Sequence, residues 1–233
     1  MPERLSSEFS TLSDARILQH VDKGNIVITP FERESLNTSS YDVRLGSYYF
    51  REQQPEPGTL IYSPWNETDV RRIWGSPHEA AIAGEYAEQH NISLPDDIAR
   101  EDRIILLPPG ETVLAHTQEF IGGRNGITTM MKARSSMGRN FIEVCKCAGW
   151  GDVGYINRWT MEITNNSRHY TIPLVVGRRV AQIVFFEVGH TIDEDYSDTG
   201  KYQRSADLKE LQANWKPEDM LPRMWKDREV GNP

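Results

Sequence analysis

The sequence predicts a mainly β protein, built as a barrel or as a double-sheet jelly roll. From residue 104 onward, short runs rich in apolar and β-branched residues follow one another closely, and turns rich in Gly, Asn and Ser separate them. Two earlier runs, Asn25–Thr29 and Ser40–Phe50, also read as strands, with a bulge or bend at Gly46. The later predicted strands are Ile104–Leu107, Thr112–Glu119, Gly126–Met131, Phe141–Cys147, Trp159–Asn165, Tyr170–Val176 and Gln182–Glu187.

Helical patterns precede and interrupt these strands. Asp14–Lys23 has apolar residues at helical spacing between a capping Ser13 and a terminating Gly24. The proline-rich segment 53–102 contains the helix-like stretch HEAAIAGEYAEQ, and we interpret it as an insertion that packs on the domain or acts as a lid. One domain is therefore expected over residues 1–233.

Residues 189–233 are polar and are predicted to form a C-terminal tail. A short helix is expected over Ala206–Trp215, with Leu208, Leu211 and Trp215 on one side. Trp215 and Trp225 indicate that the tail docks on the domain. A docked tail of this kind can close over an active site.

Composition and charge limit the possible functions. The 233 residues carry a net charge of −8, which argues against broad nucleic-acid binding because phosphate contacts need clustered Lys and Arg. No apolar run reaches about 18 residues and the N-terminus lacks an apolar signal core, so we expect a cytoplasmic protein with no membrane partner. Cys145 and Cys147 flank one residue of a predicted strand, which favours two buried thiols on one face over a metal site.

The stretch Arg134-Ser135-Ser136-x-x-Arg139 is a candidate phosphate site. The arginine side chain offers a planar fork of donors that matches phosphate oxygens, and serine adds hydroxyl and backbone donors. A surface turn with solvated arginines explains the same residues equally well. Lys201, in the polar tail, could bring a further cation to a phosphate, although a solvated charge cluster over residues 201–204 is the commoner case.

Asp152 and Tyr155, within GWGDVGY, could bind a sugar, the carboxylate accepting from a hydroxyl and the ring packing on the sugar face. A routine turn explains them at least as well. Glu162 lies in NRWTMEIT, where Trp159, Met161 and Ile163 share one strand face and Thr160, Glu162 and Thr164 share the other. Glu162 is an ordinary exposed acid if that face meets solvent, and a candidate general base if it lines a pocket.

Several well-known signatures are absent from the sequence. It has no GxxxxGKS/T loop and no GxGxxG after a strand. It also lacks the HxE and PCxxC pair of the zinc nucleobase deaminases. Its six histidines show no metal-ligand spacing.

Taken in order, the motifs resemble the superfamily of dCTP deaminases and trimeric dUTPases. RSSMGR resembles its phosphate motif, AGWGDVGY its sugar turn and NRWTMEITN the strand that carries the deaminase glutamate. SSYDVRLG, LPPGETVLAHTQEFI, GRRVAQIVFFE and GKYQ also match the family pattern. The resemblance implies a distorted β-barrel of the dUTPase-like type and a homotrimer with active sites between subunits.

The resemblance also implies a role for each motif residue. It assigns triphosphate contacts to Arg134, Ser135, Ser136, Arg139 and Lys201. It assigns sugar and base contacts to Ala148, Asp152, Tyr155, Thr160 and Tyr196. It implies Mg²⁺ held through the substrate phosphates, with no direct protein ligands, and no zinc.

Glu162 favours the deaminase branch, because that position is usually not acidic in the dUTPases of the family. The implied reaction converts dCTP to dUTP and ammonia with Glu162 as general base. An alternative is a bifunctional enzyme that gives dUMP and pyrophosphate, as some relatives do. A further alternative is a regulatory homologue that binds nucleotide without turnover.

Overall fold

The structure, a computed structural model, describes residues 11–188, 191, 196, 200–203 and 205–227. Its strands are β1 (Ile26–Thr29), β2 (Tyr41–Arg51), β3 (His78–Glu79), β4 (Ala81–Ile82), β5 (Arg103–Leu107), β6 (Thr112–Gly123), β7 (Ile127–Ala133), β8 (Ile142–Val144), β9 (Trp150–Gly151), β10 (Ile156–Asn165), β11 (Ile172–Val175) and β12 (Arg179–Glu187). Its described helices are α1 (Asp14–Asp22), α2 (Glu67–Trp74), α3 (Ala83–His90), α4 (Ser135–Arg139) and α5 (Leu208–Asn214), with 3₁₀ turns at Arg33–Ser35, Pro217–Met220 and Met224–Lys226.

Antiparallel pairing joins these strands into two sheets. The larger sheet runs β8-β10-β6-β2-β12-β7-β9, with β1 also paired to β6 and β3 to β2, and the smaller runs β11-β5-β4. The prediction of a mainly β protein is confirmed. The pairing of β2 with β6 shifts register between Leu45 and Tyr49, so the bulge predicted near Gly46 is present. Any side chain larger than hydrogen at position 46 would collide with the His116 ring.

The strands bury their apolar faces in one large cluster. Tyr41, Leu45, Ile121, Met161 and Phe185 are among its fully buried members. Gly122 lies where β6 approaches the turn before β10, and a Cβ there would collide with the Tyr155 carbonyl oxygen. Glycine at position 122 therefore lets the turn that carries Tyr155 pack directly on β6.

Segment 53–102 joins both sheets. Its strand β3 pairs with β2 of the larger sheet, and β4 pairs with β5 of the smaller sheet. The helix predicted within HEAAIAGEYAEQ begins late, at Ala83, because the preceding residues form β3 and β4. Helix α2 was not predicted, and its Val70 is fully buried.

The predicted strand Phe141–Cys147 is wrong in its second half. Strand β8 ends at Val144, and Cys145, Lys146 and Cys147 have φ values of 72°, 36° and 67°. These left-handed residues end the strand, so the two cysteines do not share a strand face. Cys145 is buried, with its Sγ 2.9 Å from the Met131 Sδ, whereas Cys147 is exposed, contrary to the expectation of two buried thiols.

The described part of the C-terminal segment packs on the domain, as Trp215 and Trp225 predict. Met220 and Leu221 are buried in a cluster with Phe50, Val70 and Leu114, and both tryptophans pack against it. Helix α5 packs Leu208 and Leu211 against Phe120 and Ile156. Arg204, the last member of the predicted charge cluster, lies outside the described residues.

Candidate active site

A cavity of about 510 Å³ lies beside the face of β10 that carries Glu162. Strand β10, the turn before it, helix α2 and the C-terminal segment all contribute walls. Six of the predicted site residues line the cavity: Ala148, Asp152, Tyr155, Thr160, Glu162 and Tyr196. These six are the predicted general base and all the predicted sugar and base contacts.

Strand β10 places Glu162 in this cavity by simple alternation. Trp159, Met161 and Ile163 are buried in the core, and Thr160 and Glu162 point the other way and are partly buried. Glu162 lies opposite Leu114 of β6. Burial raises the pKa of the Glu162 carboxyl above its usual range, opposed by hydrogen bonding to its own backbone and by the positive charge of Lys146. A carboxylate with a raised pKa is a better proton acceptor near neutral pH.

The turn before β10 presents Asp152 and Tyr155. The Tyr155 amide donates to the Asp152 carbonyl oxygen at 3.0 Å, which closes the turn, and the Asp152 side chain is exposed to the cavity. The Tyr155 ring meets Trp159 and Tyr196 edge-on, with centroids 5.2 and 5.3 Å away. Burial raises the pKa of the Tyr155 hydroxyl, so the ring is neutral at physiological pH.

The C-terminal segment is fastened to this turn by Gln203. The Gln203 side chain accepts from the Ile156 amide at 2.7 Å and donates to the Gly154 carbonyl oxygen at 3.0 Å. Asn157 donates to the Tyr202 carbonyl oxygen at 3.1 Å. These bonds hold Tyr202 at the cavity wall.

The predicted phosphate contacts lie elsewhere within the chain. None of them is among the residues lining the cavity: Arg134, Ser135, Ser136, Arg139 and Lys201. Ser135, Ser136 and Arg139 are exposed on helix α4.

Two of these cations have protein partners. The Arg134 Nε lies 3.3 Å from the buried Asp42 carboxylate, and its Nη1 donates to the Arg179 carbonyl oxygen. The Lys201 ammonium forms an ion pair with Asp227. One chain therefore does not bring its phosphate motif to the cavity that contains Glu162.

Sequence reasoning missed several residues that line the cavity. They come mainly from β10, segment 53–102 and the C-terminal segment: Trp74, Asn157, Arg158, Trp215, Asp219, Met220 and Pro222. The two-residue period of β10 could have identified Arg158, which shares the strand face of Thr160 and Glu162. No local pattern marks Trp74 or Met220, because only tertiary packing brings them to this strand.

Within the described residues, no group of three or more His, Cys, Asp or Glu side chains could hold a metal ion. Mg²⁺ carried by substrate phosphate oxygens needs no such group, so the described residues are compatible with the metal in that form. No helix in the described part of the chain is long and apolar enough to cross a membrane.

Comparison with known proteins shows the family to which the chain belongs. Residues 11–188 match the family described as dCTP deaminase-like. The chain is 31% identical over 176 residues to the dUMP-forming dCTP deaminase of Hydrogenobaculum sp. (strain Y04AAS1), covering 75% of this chain and 80% of that protein. It is 31% identical over 199 residues to the dUMP-forming dCTP deaminase of Methanopyrus kandleri, covering 83% and 90%.

The fold is also that of a solved structure, the 2'-deoxycytidine 5'-triphosphate deaminase of Agrobacterium tumefaciens. The TM-score is 0.52 at 18% identity, and the match covers 82% of this chain and 54% of that one, so the chain spans about half of that protein. The predicted distorted β-barrel is confirmed as the fold of that deaminase. The family match and the similarity to the two relatives show that the chain belongs to the dCTP deaminase-like family.

Proposed function

We propose that the protein converts dCTP to dUMP, ammonia and pyrophosphate. The observation that carries this proposal is the partly buried Glu162, whose carboxyl pKa is raised in a cavity that also contains Asp152. Two further facts favour dUMP over released dUTP: both relatives described above are named dUMP-forming, and the exposed Asp152 lines the same cavity as the proposed general base.

The first step is deamination at C4 of cytosine. The Glu162 carboxylate takes a proton from water, and the resulting hydroxide forms a bond to C4. The protonated Glu162 then returns the proton to the amino group, the C4–N4 bond breaks and ammonia leaves. The product is a uracil nucleotide, and Glu162 is again a carboxylate.

The second step is hydrolysis of the triphosphate. Water attacks the α-phosphorus and its proton passes to solvent, while the bond to the bridging oxygen breaks and pyrophosphate leaves with the electron pair of that bond. We assign Asp152 to orient this water and to accept a hydrogen bond from the 3'-hydroxyl. Tyr155 packs on the deoxyribose, and the backbone at Ala148 and Thr160 binds the base edge. Mg²⁺ carried by the triphosphate would neutralise part of the phosphate charge.

The phosphate contacts belong to a neighbouring copy in this proposal. Helix α4 presents Arg139 and its serines at the surface, away from the cavity of the same chain. A homotrimer with sites between subunits would bring this helix to the cavity of the next subunit. Lys201 and Tyr196 would complete the site from the C-terminal segment.

Separating the products of dCTP and of dUTP by chromatography tests the proposal. We expect dUMP and pyrophosphate from both substrates, and ammonia from dCTP alone. Accumulation of dUTP from dCTP, with added dUTP left intact, would show a deaminase without the hydrolytic step. Tight binding of dCTP with no product would show a regulatory homologue and refute the proposal.

A further inference from the structure

Arg158 is a charged cavity residue with no hydrogen-bond or ion-pair partner for its side chain in the described part of the chain. Its side chain lies on the face of β10 that carries Thr160 and Glu162, between these residues and the Tyr155 turn. Its guanidinium forms no hydrogen bond or ion pair with any described residue, and its Nε is buried without an acceptor. A buried donor without a partner is destabilising, so such a group usually serves a ligand or a structural need.

Two aromatic rings hold this guanidinium in place. Its central carbon lies 4.6 Å from the Trp215 ring centroid and 5.2 Å from that of Phe120. Trp215 is itself packed on His116, with ring centroids 4.6 Å apart. Contact with ring faces leaves the N–H groups at the edge of the guanidinium unused.

One carboxylate that lines the cavity, that of Asp219, is already paired with a different arginine. Asp219 lines the same cavity but accepts from the Arg223 Nη2 at 2.7 Å. Arg223 also donates to the Lys201 carbonyl oxygen at 2.8 Å. Arg223 does not itself line the cavity, and Arg158 is the lining arginine that has no ion pair with a described residue.

We propose that Arg158 donates to an acceptor oxygen of the bound nucleotide, which makes it a further substrate-contacting residue. This inference rests on the proposed function. Two oxygens offer the same chemistry: the pyrimidine 2-carbonyl and a phosphate oxygen. The place of Arg158 between Tyr155 and Glu162 favours the 2-carbonyl, because C2 lies between the sugar-bearing N1 and the reacting C4.

The test measures binding in a protein that cannot deaminate its ligand. In a Glu162→Gln background, dissociation constants for dCTP, dCMP and 2'-deoxycytidine are compared with and without Arg158→Met, which keeps an apolar stem and removes the donors. We expect dCTP to bind about tenfold or more weakly in Arg158→Met. If 2'-deoxycytidine binding is weakened by the same factor as dCTP binding, the contact is to the 2-carbonyl. If only dCTP and dCMP bind more weakly, the contact is to phosphate.

Two control variants keep this test interpretable. Arg100→Met makes the same substitution at an exposed arginine paired with Glu88, and should leave all three affinities unchanged. If Arg158→Met fails to fold, Arg158→Lys takes its place in the test. It keeps the charge but loses the planar fork of donors, and it should weaken dCTP binding at least threefold. Affinities within twofold of the parent in a folded Arg158 variant would overturn the proposal.

Turnover of dCTP by proteins that keep Glu162 distinguishes a failure of this inference from a failure of the proposed function. A wild-type protein that makes no ammonia from dCTP refutes the proposed function. If the wild-type protein makes ammonia from dCTP and the Arg158→Met variant has an equal kcat/KM, only the role of Arg158 is refuted.

Discussion

The indole of Trp215 lies over the guanidinium of Arg158, with 4.6 Å between the ring centroid and the guanidinium carbon. This contact joins the C-terminal segment to the strand that carries Glu162. Trp215 also packs against His116, whose ring occupies the space beside Gly46. The cavity wall therefore depends on residues that are far apart in sequence and that pack through one tryptophan.

Trp215→Ala should lower the free energy of unfolding by about 2 kcal/mol, because it removes a partly buried aromatic ring from two clusters. It should also raise KM for dCTP, since the Arg158 guanidinium loses its support. Urea denaturation at fixed protein concentration and steady-state kinetics measure both effects. Trp65→Ala, at a tryptophan that is 47% exposed, is the matched control and should change stability by less than about 0.5 kcal/mol.

Glu162→Gln should abolish deamination, with a loss of about a thousandfold or more in kcat, because the amide cannot accept the proton from water. The same variant should be more stable than the wild type at neutral pH. Burial raises the pKa of the Glu162 carboxyl in the folded state, so ionisation of this carboxyl destabilises the folded protein. That destabilisation is present above the folded pKa and disappears as the pH falls below it.

Denaturation at several pH values measures the stability difference between wild type and Glu162→Gln. The gain should be largest at neutral pH and should shrink as the pH is lowered. Equal stability at every pH would show that Glu162 is not desolvated in the folded protein. Near-normal turnover would remove it from the role of general base.

His116 should make stability depend on pH in mildly acidic solution. Burial lowers the pKa of its imidazole from 6.5 to about 4 in the folded protein. The free energy of unfolding should be unaffected by this histidine above pH 6.5. It should fall as the pH drops towards 4, because over that range only the unfolded chain takes up the proton. The loss should be on the order of 3 kcal/mol, measured as the difference between wild type and His116→Gln across this range. Parallel stability curves for the two proteins would contradict this.

Mixing two inactive variants tests whether sites form between subunits. Arg139→Ala should lose triphosphate binding, and Glu162→Gln should lose chemistry. If the two residues serve one site from different chains, random reassembly of equal amounts should leave about a quarter of the sites with both native residues. Deamination should therefore return after the two proteins are unfolded and refolded together. No recovery, although each variant refolds alone, would place Arg139 and Glu162 of one chain in the same site.

The sequence carries the local part of this site. The alternation in NRWTMEIT separates the buried Trp159, Met161 and Ile163 from the cavity-facing Thr160 and Glu162. The turn GWGDVGY places Asp152 and Tyr155 on the same cavity ten and seven residues earlier. Short-range period and turn chemistry determine both features, which is why they could be predicted.

The rest depends on packing that no local pattern encodes. Trp74 and Met220 reach the cavity because α2 and the C-terminal segment bury Val70 and Leu221 together against Phe50. The course of the chain at Cys145–Cys147 depends on left-handed residues that are not glycine, so it reads as a strand in sequence. The phosphate motif can be recognised from its residues. Only the folded chain shows that this motif lies away from the cavity of the same chain.

The most direct test of dCTP conversion to dUMP follows dCTP by ³¹P NMR while ammonia is assayed in the same sample. We expect the three triphosphate resonances to be replaced by those of pyrophosphate and a nucleoside monophosphate, with one ammonia released for each pyrophosphate, and Glu162→Gln to stop ammonia release. A triphosphate that stays intact while no ammonia forms would contradict the proposed reaction.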